Sequence, residues 1–134
     1  MTTAFWVLGA VFAGLAALIH VYIFALESLL WSRPATQRTF GVRDPRDAEV
    51  LRPMAYNQGF YNLFLALGVG IGLVLVATGT RADAGVAVAL FALGSMLLAA
   101  LVLVTSNRRM LRAALVQGVA PALGILFLAL ALLA

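Results

Sequence analysis

Four apolar stretches dominate this chain, at about residues 4–31, 54–77, 85–106 and 111–133. Charge is confined almost entirely to the segments between them. A helix rises about 1.5 Å per residue, so roughly 20 apolar residues cross a hydrocarbon layer about 30 Å thick. Each stretch meets that length. Backbone groups in lipid must be satisfied within their own segment, which leaves helices as the spanning form for runs of this size. Short connections make consecutive spans antiparallel. The expected fold is therefore all-α, an integral membrane antiparallel four-helix bundle, with residues 1–134 forming a single four-span domain.

Composition agrees with this expectation. Of 134 residues, 64% are hydrophobic and 10% are charged, whereas a soluble domain is about one quarter charged. The mean hydropathy is +1.07. With no Cys in the chain, disulfides and thiolate chemistry are excluded. All nine basic residues are Arg, so a lysine Schiff base is excluded too. The net charge of +4 does not signal nucleic-acid binding, because the Arg residues fall in loops between spans. There they bias orientation.

Those loops differ. The first, residues 32–53, carries Arg33, Arg38, Arg43, Arg46 and Arg52; the third carries Arg108, Arg109 and Arg112; the second carries Arg81 alone. The positive-inside rule places loops one and three in the cytoplasm and both termini outside. No basic residue precedes the first span, so it reads as a retained helix rather than a signal peptide. Within loop one, "DPRDAEVLR" reads as a short surface helix, with Asp44 as N-cap and Pro45 at the first helical position. A loop of this length can also cover the mouth of a bundle. Trp6 and Trp31 fall near the ends of the first span, where interfacial aromatics belong. In the fourth span Pro121 is expected to free a carbonyl and kink the helix.

Against this background the polar residues inside the spans stand out. They are His20 and Glu27 in the first span, Asn57, Gln58, Tyr61 and Asn62 in the second, and Gln117 in the fourth. Lipid offers them no hydrogen-bond partner, so they are expected to face protein, water or a ligand. Counted at about 1.5 Å per residue, all lie at the loop-one and loop-three ends of their spans or near the midplane. His20 and Glu27 are seven apart, on one helix face. Gln58 and Asn62 are four apart, on one stripe. In a four-helix bundle these faces converge on one polar pocket in the cytoplasmic half.

The pattern His20, Glu27 and Trp31, then Phe40-Gly41, then "AYNQGFYNLFLALG", then "TSN" after the third span, then Val116-Gln117-Gly118 and Pro121-Ala122, resembles a bacterial family of small four-span membrane proteins, domain of unknown function 1304. The resemblance covers nearly the whole chain. It implies a four-helix topology in a bacterial inner membrane and brings no activity.

Three function classes stay open. In the first, the seven polar residues line a site that binds or transports a small amphipathic molecule, with Glu27 as a group able to couple movement to protons. The second is an intramembrane enzyme in which His20 and Glu27 serve as acid and base on a lipophilic substrate, of isomerase or reductase type. The third is a structural subunit of a larger membrane complex, in which the same residues make only interhelical hydrogen bonds. One His and one Glu, with no second His or Cys, make a poor ligand set, so no metal is expected. No nucleotide or flavin motif points to a cofactor. The lipid bilayer and an unidentified amphipathic ligand are the expected partners. Small-residue ridges (Gly9, Ala13 and Ala17; Gly68 and Gly72) suit helix packing within the chain or between copies of it.

Overall fold

The computed structural model describes residues 2–134. It is all-helical. Helix α1 covers Thr2–Phe24 and continues into a π-turn at Ala25–Leu29. A short helix α2 follows at Pro34–Thr39. Helix α3 covers Pro45–Thr78, α4 covers Ala82–Ser106, and α5 covers Leu111–Leu133 after a 3₁₀ turn at Arg108–Met110. Four helical stretches, Thr2–Leu29, Pro45–Thr78, Ala82–Ser106 and Arg108–Leu133, are long and apolar enough to cross a membrane. The expected four-span antiparallel helical architecture is the one found.

Two compact units divide the chain. One holds the residues up to Ile19 together with Leu65–Ala134; the other is His20–Phe64. In the first unit four helical segments pack through small residues. Its core is Ala13, Ala16, Val69, Ala92, Leu93, Met96, Ala120 and Leu128. Alanine is frequent here because, without a strong hydrophobic drive between helices in lipid, packing depends on backbones approaching closely. The closest approach joins α3 to α4. A Cβ placed on Gly72 would stand 2.7 Å from the Gly85 carbonyl oxygen and 2.8 Å from the Ala89 nitrogen, and one on Gly85 would stand 2.7 Å from the Gly72 oxygen. Phe5 and Phe12 stack on Phe127, with centroids 6.5 and 5.6 Å apart.

In the second unit the chain leaves the π-turn, forms α2, turns at Gly41 and enters α3. Gly41 has φ +78, a left-handed conformation that glycine adopts without steric cost. The predicted cap at Asp44 is in place, since its Oδ1 accepts a bond from the Arg46 amide at 2.8 Å. The structure differs from expectation at Pro53. Instead of a separate surface helix ending there, α3 runs unbroken for 34 residues through Pro53. The physical reason is exposure. Proline leaves the carbonyl four residues earlier without its helical partner, and both Pro53 and Glu49 are exposed, so water can serve that carbonyl. Helix α5 likewise continues through Pro121, which is fully buried.

Trp31 also departs from the interfacial role. It is 7% exposed, donates from Nε1 to the Ala48 carbonyl at 2.9 Å, and tilts against Phe40 at 5.8 Å. Gln37 Nε2 donates to the Trp31 carbonyl at 3.0 Å. These contacts fasten the connecting segment to the first turns of α3.

The glycine contacts predict an asymmetry that thermal unfolding in detergent can read. Gly72→Ala forces a methyl against the backbone of α4 and should destabilise by about 1–3 kcal/mol. Gly94 has nothing within 4 Å of its added Cβ, so Gly94→Ala should be neutral or stabilise by up to about 1 kcal/mol.

Candidate functional site

The second unit, His20–Phe64, holds six of the seven candidate residues. Glu27 sits on the π-turn, whose widened ring is closed by the Leu30 amide donating to the Ala25 carbonyl at 2.9 Å. A π-turn carries one residue more than an α-turn and re-aims the side chains on it. Here Glu27 turns toward α3 and is 8% exposed. Asn62, also 8% exposed, donates from Nδ2 to Glu27 Oε2 at 3.0 Å. The same nitrogen donates to the Gln58 carbonyl at 3.0 Å. A carbonyl can only accept, so this second bond fixes which end of the Asn62 amide points where.

Close approach of the two helices depends on Gly59. A Cβ there would overlap Ser28 Oγ and stand 3.1 Å from both Glu27 Cβ and the Ser28 nitrogen. Ser28 Oγ donates to the Tyr56 carbonyl at 2.9 Å, binding the π-turn to α3 nearly two turns before Asn62. Phe24 meets Phe60 edge to face at 5.1 Å, and Phe60 continues into Tyr56 at 5.1 Å and Phe64 at 6.1 Å. These rings lie on a different face of α3 from Asn62, since Phe60 and Phe64 are each two residues, or about 200°, away from it around the helix.

The candidate residues separate by environment. His20, 1% exposed, and Glu27 and Asn62 are buried. Asn57 and Gln58 have exposed side chains, and Tyr61 is 57% exposed. Gln58 takes part through its backbone. Gln117 is half-buried and belongs to the other compact unit. Among the described residues Glu27 has no ion-pair partner; the ion pair found is Arg52 with Glu49, at 3.9 Å and exposed. No group of three His, Cys, Asp or Glu side chains comes together among the described residues.

Four features were not read from the sequence. Ser28 and the π-turn had no signal, because a 3.6-residue period assumes the very geometry that the π-turn breaks. Buried Thr36, 4% exposed, lies in the six-residue helix α2, too short for burial to leave a periodic mark. Gly59 could have been found: a glycine flanked by polar residues inside a span is a sign of close backbone approach.

Four apolar helices of spanning length define a multi-pass membrane protein. The chain matches the family model described as "Protein of unknown function (DUF1304)" over residues 14–129, and it belongs to that family. No curated protein and no solved structure matches it.

The order of contacts at Gly59 yields a test. Gly59→Ala should destabilise by about 1–3 kcal/mol through overpacking. Ser28→Ala removes the nearest atom and should recover part of that loss in the double variant, but not all, since the two 3.1 Å contacts remain. Unfolding of the four proteins of this cycle measures the coupling.

Proposed function

We propose that the Glu27–Asn62 pair is a binding site for a small amphipathic molecule, and that the protein carries or holds such a molecule at the membrane. One observation supports this reading above the others. The hydrogen bond at 27 needs only an acceptor, and a glutamine carbonyl would accept it equally well. A purely structural clasp between helices would be served by the neutral amide. Glutamate adds a charge or a proton, and ionisable groups inside membrane spans are costly and mark ligand or ion sites. Among the described residues no cation offsets it.

A single carboxyl that takes either a proton or the polar group of a ligand makes the two mutually exclusive. This supplies coupling without further machinery. The cytoplasmic placement of loops one and three, read from the Arg distribution, puts the pair nearer the inner face. The burial of His20, Glu27 and Asn62 also suits an acid–base enzyme. The deciding difference is whether a bound molecule leaves unchanged.

Native mass spectrometry from mild detergent, wild type beside Glu27→Gln, tests the reading. The expected result is a retained small organic mass that the variant loses while its melting temperature stays within a few degrees. Equal retention, or equal emptiness with a co-purifying partner chain, would turn the reading toward a structural subunit. Orientation has its own check, made simple by the absence of Cys. Single cysteines at Ser32 and Arg108 should resist a membrane-impermeant maleimide in intact cells, and one at Thr80 should react. All three positions are exposed.

A further inference from the structure

The unused atoms of the Glu27–Asn62 pair define the chemistry of the molecule they face. Glu27 offers two oxygens, and Oε2 accepts from Asn62. Among the described residues Oε1 receives no hydrogen bond. Asn62 spends Nδ2 on both Glu27 and the Gln58 carbonyl, which leaves Oδ1 as its free atom. A flipped amide would set oxygen against two acceptors, so the assignment is forced by the hydrogen-bond geometry. Neither free oxygen is sealed away, because no buried side-chain oxygen or nitrogen among the described residues lacks a partner. With Glu27 ionised, each residue of the pair therefore keeps one accessible acceptor outside their shared bond, and the carboxylate has no counter-charge among the described residues.

Such a pair rejects carboxylates and phosphates by like charge and by the absence of donors. It offers an alcohol a hydrogen bond and no charge compensation. A protonated amine satisfies both requirements, since an ammonium carries up to three N–H donors and one positive charge.

We propose that the site takes primary or secondary alkylammonium compounds, with the N–H donors directed to Glu27 Oε1 and Asn62 Oδ1. This rests on the reading of Glu27 and Asn62 as a ligand site and narrows it to one class. Quaternary ammonium groups have the charge but no N–H, so they should bind less well.

Calorimetric titration of the protein in dodecyl maltoside with four ten-carbon probes tests the class: decylammonium, decyltrimethylammonium, decanol and decanoate. Decylammonium should bind saturably with one equivalent per chain. Decyltrimethylammonium should bind about tenfold more weakly, the scale of one charge-assisted hydrogen bond. Glu27→Gln should weaken decylammonium at least tenfold. Asn62→Leu should reduce its preference over the trimethyl compound, a readout that loss of stability alone does not produce. Phe64→Leu lies at an exposed position, on a face of α3 away from Asn62, and serves as a folded control that should leave the order of the four probes unchanged. Equal binding of the two cations, or Glu27-dependent binding of decanol or decanoate in preference to decylammonium, overturns the ammonium class. In that case the reading of Glu27 as a ligand site stands or falls separately on the mass retained by the native protein. No saturable binding of decylammonium to folded wild type also overturns the class.

Discussion

A polar group in a lipid-embedded bundle needs a partner in protein, water or ligand, and this one requirement orders the structure. Helices meet it for the backbone. For buried side chains such as Glu27 and Asn62 it means that one is brought to another, which in turn requires helices to come close. Gly72 against Gly85 and Gly59 against Ser28 are two such approaches. They serve different ends. The first lets backbones of α3 and α4 touch in an apolar region, where dispersion between many small contacts is the available stabilisation. The second brings a carboxyl within hydrogen-bonding distance of an amide.

Much of the fold was legible because hydrophobic length and loop charge are one-dimensional properties. The four spans, the Asp44 cap and the helical start at Pro45 follow from residue types at fixed offsets. What failed to show were features set by exposure. Pro53 looked like a boundary, yet the helix passes through it where water can reach the freed carbonyl. Trp31 looked like an interfacial anchor, yet its indole N–H finds a partner in the Ala48 carbonyl. Neither fact leaves a trace in the local pattern.

The candidate site was legible in part. Glu27 and Asn62 were named because ionisable and amide groups in lipid need partners, and here they partner each other across 35 positions of chain. Asn57 and Tyr61 were named on the same ground, as polar groups inside a span, and their side chains are exposed. The helical wheel separates these residues only when the facing of the second helix is known, and the apolar background of a span gives little facing information. In a soluble helix the polar stripe would have shown it.

The π-turn at Ala25–Leu29 has a consequence for the chain that bears it. An α-helix locks all of its side chains into one phase, so a residue that suits packing on one turn dictates what faces the neighbour two turns on. One surplus residue offsets that phase by a fixed step. Glu27 therefore emerges on a different face from the one that a regular continuation of the helix from His20 to Phe24 would give it. A substitution that returned the turn to regular α geometry would keep every residue in place and still carry the carboxyl away from Asn62.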